Sequence, residues 1–338
     1  MSLWKFDHEI LDIIEKGLEG NGLTFDETVK LYELDENAKE SSLLRWAGQE
    51  LSMRSADGLA EVHAQIGLNS TTCPRNCKFC SFAACNSARA QSFELSRQDV
   101  VDYAKEYEEQ GANLILLLTT ASYKFDKLIE MAQAVREVIS PEMPLLVNTD
   151  DLTLERCHAL KAAGVNGCYH AVRMGEGVDT EIPVEKRLET FKHIREAGLS
   201  LQTCVEPIGP EHSAEEIAEA VFRCIENKPI SAGAARRVPV PGTLLGERPA
   251  HTELANGNFV AAYRLATGLN PRLNCSSNSP LTASSGANLA WSEVGSNPRD
   301  AVEKTEIGGH GSSIARMQKW LRGGGWEILD GPSQGWML

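Results

Sequence analysis

Apolar residues recur with a helical period through residues 6–16, 24–34 and 37–51, which predicts a helical preface of about 55 residues. The pattern then changes. Short apolar runs at 62–68, 113–118, 144–147, 165–169, 200–204, 231–235, 272–275 and 287–291 read as strands. Amphipathic stretches at 97–110, 125–138, 153–163, 184–197 and 214–226 read as the helices between them, and Gly111, Gly164 and Gly198 stand where C-terminal caps fall. Alternating strands and helices of this size predict an α/β fold, a (βα)8 TIM-type barrel, with its chemistry at the C-terminal ends of the strands. We expect a helical extension over 1–58, the barrel over 59–300, and a C-terminal helix and tail over 301–338 that packs on one barrel end. The glycine-rich run at 308–313 lacks the Gly-Lys-Ser/Thr ending of a phosphate loop and reads as a turn before a helix at 314–321.

Composition narrows the partners. The chain has 338 residues and a formal charge of -14, which argues against a nucleic-acid footprint and towards small molecules. Much of the acidic excess lies on helical stretches, at 33–40 and 103–109, and reads as solvated helix face. The sequence opens without a signal-like segment, and no apolar run approaches the roughly 18 residues a membrane span requires, so the expected location is the cytoplasm, with no membrane partner. Nine cysteines in such a chain point to reduced thiols and metal binding over a disulfide framework.

Three of these cysteines carry the most specific signal. Cys73, Cys77 and Cys80 stand three and then two residues apart, so one short loop can present three thiolates to one metal centre. Zinc is one reading, but zinc loops usually pair two such motifs to give four ligands, and Cys85 is the nearest further candidate. Three thiolates on a 4Fe-4S cluster would instead leave one iron open to bind a substrate or cofactor.

The triplet, with the aromatic Phe79 before its last cysteine, resembles the signature of the radical S-adenosylmethionine (SAM) superfamily. The resemblance extends over about residues 60 to 325 to the biotin synthase-like branch, which includes hydrogenase-maturation and methylornithine-forming enzymes. It rests on Lys186-Arg187-Leu188-Glu189-Thr190, Arg195-Glu196-Ala197-Gly198, Pro239-Val240-Pro241-Gly242-Thr243-Leu244, and Gly286-Ala287-Asn288-Leu289 before Asn297-Pro298. It implies a 4Fe-4S cluster and SAM as cofactors, an electron donor such as flavodoxin or ferredoxin, a small-molecule substrate, and a place in cofactor biosynthesis. In that family the open iron chelates SAM, and one electron from the cluster cleaves it to methionine and a 5'-deoxyadenosyl radical.

Carried onto this sequence, the resemblance gives Cys73, Cys77 and Cys80 to the cluster, Phe79 to the adenine and Arg187 to the SAM carboxylate. Thr119, Thr120 and Ala121 replace a Gly-Gly-Glu-like turn and offer carbonyls and hydroxyls to the SAM amino group. Arg173 falls nearest the family's ribose-binding acid, and Glu176, or Asn148 and Asp150, are the acceptors available for the ribose. Cys275, His170 and Glu206 are candidates for the reaction itself, and Arg236 and Arg237 for gripping a substrate carboxylate or phosphate. Biotin synthase's second, sulfur-donating cluster lacks its cysteines on strands two and three here, although Arg272 stands near the place of that cluster's arginine. Cys204 and Cys275 end strands five and seven; Cys157, Cys168 and Cys224 read as packing. The expected activity is radical chemistry on a small metabolite or cofactor precursor. The rival is an iron-sulfur carrier or maturation scaffold that cleaves no SAM.

Overall fold

The computed structural model describes residues 5–86, 92–301, 304–307 and 311–336. Three helices come first, α1 (His8–Leu18), α2 (Phe25–Tyr32) and α3 (Lys39–Ser55). Asp7 caps α1, and a Thr24–Glu27 capping box starts α2, satisfying N–H groups that the first helical turn leaves free. The barrel follows as β1 (Leu59–Gly67), α4 (Arg97–Glu109), β2 (Leu114–Leu118), α5 (Phe125–Arg136), β3 (Leu145–Asn148), α6 (Leu154–Ala162), β4 (Gly167–Tyr169), α7 (Val184–Glu196) and β5 (Ser200–Gln202). It continues through β6 (Val205–Ile208), α8 (Ala214–Asn227), β7 (Ser231–Arg236), α9 (Glu253–Thr267), β8 (Leu273–Cys275), α10 (Pro280–Ala283) and β9 (Leu289–Val294), before α11 (Ile314–Gly323) and β10 (Glu327–Ile328).

Eight parallel strands pair in the order β1-β2-β3-β4-β5-β7-β8-β9, and β9 returns to β1 with Glu61 opposite Leu289. The barrel is therefore closed, as the alternation predicted, and every expected strand is present. β6 is a short continuation beside β7, and β10 adds to the outer start of β1. The expected glycine caps have positive φ, 84° at Gly111, 84° at Gly164 and 70° at Gly198. Residues 308–310 of the glycine-rich run, and the first four residues of the chain, lie outside the described residues.

The strand period of two sorts side chains to the two faces of the barrel wall. In β2, Ile115 and Leu117 join the layer beneath the helices, whereas Leu114, Leu116 and Leu118 face inward with Phe82 and Leu146. In β1, Val62, Ala64 and Ile66 join the outer layer, and the polar Glu61, His63 and Gln65 occupy the alternate positions. Arg272 precedes an inward Leu273 and donates to Ala56 O, so it does not face the cavity as its place in the sequence suggested.

α9 and α10 are additions to the predicted elements. α9 is buried from Ala255 to Ala266, packed between the barrel and the helical preface. A helix covered on all sides has no polar face, so its sequence lacks the periodic contrast that marks the others. Gly48 of α3 allows this close approach, since a Cβ there would lie 2.5 Å from the Ala261 Cβ.

The C-terminal tail stoppers the lower end of the barrel, opposite the cysteine loop. Asn113, just before β2, donates to Leu329 O and Gly331 O, and Ser333 N–H returns a bond to Asn113 O. Trp336 then packs against the inward leucines of β2 and β3, with its indole N–H on Ser333 Oγ at 2.8 Å. Its ring centroid is 6.1 Å from that of His63, whose Nε2 is 3.0 Å from Glu61 Oε2. No described helix is long and apolar enough to cross a membrane.

Candidate active site

A cavity of about 250 Å³ opens at the C-terminal ends of the strands. The loop after β1 brings Cys73, Cys77, Phe79 and Cys80 to its wall. This loop is held by short backbone bonds, Cys73 N–H to Phe82 O at 2.8 Å and Cys80 N–H to Cys77 O at 3.0 Å. Asn76 turns the chain between the first two cysteines with φ 49°, a left-handed conformation that asparagine tolerates better than most residues. Its side-chain carbonyl accepts the N–H of Cys85 at 3.0 Å, and Cys85 is exposed and off the cavity wall, so it is no fourth ligand there.

A closed zinc site takes four ligands, so three loop cysteines on the cavity wall, with Cys85 off it, fit a cluster with one open iron better. Burial, with Cys73 adding, pushes the Cys77 thiol up to about 12. Burial likewise holds Cys80 far above the usual thiol range. Thiols this reluctant to ionise need a strong cationic centre to take up as thiolates. Among the described residues, Asp179, Glu211 and His212 do bring three possible ligand atoms within 4.8 Å. Lys78, Arg237 and Arg248 already neutralise that group.

The neighbouring strand ends supply polar groups. Thr119, Thr120, Ala121, Asn148 and Asp150 all line the cavity. Thr119 Oγ donates to Thr149 Oγ at 2.8 Å, and the Thr120 hydroxyl is held among Asn69, Thr71 and Ser122. Asp150 is clasped by Arg75 through Nε at 2.8 Å and Nη2 at 2.5 Å, a bidentate pair that ties the cysteine loop to β3.

Arg187 reaches the cavity from α7 and is positioned by two carboxylates, Asp151 at 3.1 Å and Glu176 at 3.2 Å. Burial opposes the charge on Asp151, but His170 and Arg187 outweigh it and lower its pKa to about 2. His170 is buried, lies 3.1 Å from Asp151, and is not on the cavity wall. Burial pulls its pKa below the ordinary imidazole value, with Arg187 reinforcing the effect, so it serves as a neutral support behind Arg187. Glu176 is likewise engaged, by Arg187, the Thr180 hydroxyl and the Arg173 N–H.

Deeper polar groups complete the wall. Arg173 pairs with Glu206, which also accepts from the Tyr169 hydroxyl. Burial alone would raise the Glu206 pKa, but Arg173, Tyr169 and Arg299 outweigh it and hold the carboxyl below its ordinary value. Glu293, 2.6 Å from Arg299, goes the other way, because burial dominates. Arg236 and Arg237 border the cavity with their charges already matched, by Glu253 and Glu211. Cys275 and Cys204 lie on its apolar floor. Sequence reading missed Gln65, Arg75, Asp151, Tyr169, Trp291, Glu293 and Arg299 as parts of this site. Only the strand period could have shown some of them, by turning polar residues inward on β1 and β9.

Residues 70–224 match the radical SAM superfamily. Biotin synthase 1 of Corynebacterium diphtheriae is 26% identical over 280 residues, which is 77% of each chain. Biotin synthase of Mycobacterium ulcerans is 27% identical over 263 residues, 73% of this chain and 71% of that one. Among solved structures, methylornithine synthase (PylB) superposes with a TM-score of 0.77 at 15% identity, covering 95% of this chain and 97% of the other. The FeFe-hydrogenase maturase HydG of Carboxydothermus hydrogenoformans gives 0.77 at 18% identity, covering 95% and 79%. Matched residues, barrel and cysteine-lined cavity define a radical SAM enzyme, with a 4Fe-4S cluster and SAM as its cofactors. Within that superfamily the chain is most like the biotin synthase-like branch, through the similarity of its sequence to the biotin synthases.

Proposed function

We propose that Cys73, Cys77 and Cys80 hold the cluster and that the protein uses a 5'-deoxyadenosyl radical to remove hydrogen from a small metabolite or cofactor precursor. The observation that carries this reading is the convergence of three cysteines, the anchored cation Arg187 and the Arg173–Glu206–Tyr169 group on one cavity. When bound, the cluster and SAM supply the radical; the protein's part is to orient, shield and handle protons. Arg187, braced by Asp151 and Glu176, would present a guanidinium edge to the SAM carboxylate. Thr119, Thr120 and Ala121 offer oxygen acceptors to its amino group. Phe79, on the cavity wall, would flank the adenine, and Asn148 with the Arg75–Asp150 pair would border the ribose.

Glu206, Arg173 and Cys275 line the same cavity and would meet a substrate bound there. Glu206 is held below and Glu293 above the ordinary carboxyl value, so the two wall carboxyls differ in their affinity for a proton. The inward positions of β2 and β3 are Leu114, Leu116, Leu118 and Leu146, so a sulfur-donating second cluster like that of biotin synthase finds no thiolates on those strands. This favours rearrangement or bond cleavage over sulfur insertion. Electrons would come from a flavodoxin- or ferredoxin-like donor.

The test is anaerobic reconstitution, reduction with dithionite, addition of SAM and mass-spectrometric measurement of 5'-deoxyadenosine. Product that disappears in Cys77→Ala supports the reading. A protein that holds an intact cluster yet neither binds nor cleaves SAM would be an iron-sulfur scaffold, and the proposal would fall.

A further inference from the structure

Two cysteines in this cavity have no part in cluster binding. Cys204 follows β5 and Cys275 ends β8, and both are buried, 4% exposed, on the cavity floor. Between their strands runs β7, whose Gly233 pairs with Cys275 and accepts the Cys204 thiol hydrogen at its carbonyl, 3.2 Å away. Gly233 faces inward between inward-facing Ser231 and Ala235. A side chain there could not be fitted, because its Cβ would come within 1.9 Å of Cys275 O. The missing side chain lets the two thiols gather in one small apolar cluster with Ala235, Leu273 and Leu289.

The chemical state of the pair follows from this setting. Cys275 beside it, and then burial, hold the Cys204 pKa well above the ordinary thiol value. Cys204 therefore keeps its hydrogen at neutral pH, which makes it a poor nucleophile and a poor metal ligand. A protonated thiol can still give up a neutral hydrogen atom.

Resting on the radical reading above, we infer that Cys204, positioned by Cys275, is a hydrogen-atom donor to carbon radicals formed in the cavity. In that step the Cys204 S–H bond breaks homolytically and a C–H bond forms on the radical carbon. One electron from the low-potential one-electron donor and one proton from solvent then return the thiyl to thiol. The two electrons of a turnover are thus divided, one for SAM cleavage and one for thiol recovery, and the substrate skeleton undergoes no net oxidation.

The substrate is not needed for the test, because SAM alone is the probe. The reconstituted holoenzyme is equilibrated in D2O, reduced and given SAM, and the 5'-deoxyadenosine is analysed for deuterium. The expected result is a major singly deuterated fraction that falls several-fold towards the solvent background in Cys204→Ala, while Cys157→Ala, which removes a thiol from beneath the helices and away from the cavity, keeps the label. Phenylarsine oxide, which bridges paired thiols, is expected to link Cys204 with Cys275 in the same protein. Unlabelled 5'-deoxyadenosine overturns the donor role and leaves the SAM reading standing. Failure of the arsenical to bridge the two cysteines overturns the pairing. The absence of any 5'-deoxyadenosine overturns both readings together.

Discussion

Arg187 separates binding from folding, because it serves both. Its Nε and Nη1 are committed to Glu176 and Asp151, and its Nη2 has no protein acceptor among the described residues. The edge left for a ligand carboxylate is therefore Nη2 with a shared Nη1. Replacing the fork in Arg187→Lys keeps a cation near the two acids but loses about one charge-assisted hydrogen bond to SAM. Such a bond contributes about 1.5–3 kcal/mol, so the SAM dissociation constant should rise roughly 10- to 150-fold. Stability should change little. Arg187→Met goes further, because it leaves Asp151 and Glu176, with side chains 3% and 1% exposed, without the guanidinium that both pair with. Breaking a buried pair of this kind costs about 3–5 kcal/mol. Equilibrium dialysis of SAM against the reconstituted protein, beside urea denaturation of each variant, measures the two effects. A lysine variant that binds SAM within about two-fold of the parent would refute the proposed grip.

Three further outcomes follow from the same geometry. Trp336→Ala should lower unfolding free energy by about 3–5 kcal/mol, the usual range for a buried tryptophan; a loss below about 1 kcal/mol in denaturant titration would mean that the tail is not a structural stopper. Asp151→Asn should cost about 2 kcal/mol at neutral pH, from a carboxyl lowered to about 2. A depressed carboxyl stabilises above its unfolded value near pH 4 and loses that contribution as pH falls towards 2. The gap between parent and variant should therefore close across that window, and one that stays constant would contradict the assignment. Gly233→Ala should destabilise by about 1–3 kcal/mol or more through overpacking, since its Cβ would meet Cys275 O at 1.9 Å; an unchanged thermal midpoint would show that β7 and β8 part more easily than the structure implies.

The barrel was legible in the sequence because its strands are short apolar runs separated by helices with one polar face. The cysteine loop was legible because metal chemistry demands close spacing. α9 was not, since burial on every side removed its polar stripe. Glu293 and Arg299 were also missed, because their pairing depends on the turn after β9 folding back over the cavity. His170 was singled out by residue type, but its setting on Asp151 behind Arg187 depends on how α7 packs over the ends of β3 and β4. Only side-chain direction separates a supporting histidine from one that reaches the cavity.

Among the described residues, Trp336 fills the barrel end away from the cysteine loop and leaves the cysteine-lined end as the mouth of a well. Cofactor, substrate, departing methionine and spent nucleoside must all share that entrance, so a molecule seated near the floor cannot leave while another is seated above it. Exchange at such a site is a queue. The order of loading and release is then set by depth in the well, and the last molecule to enter controls how long a radical below it is sheltered from solvent.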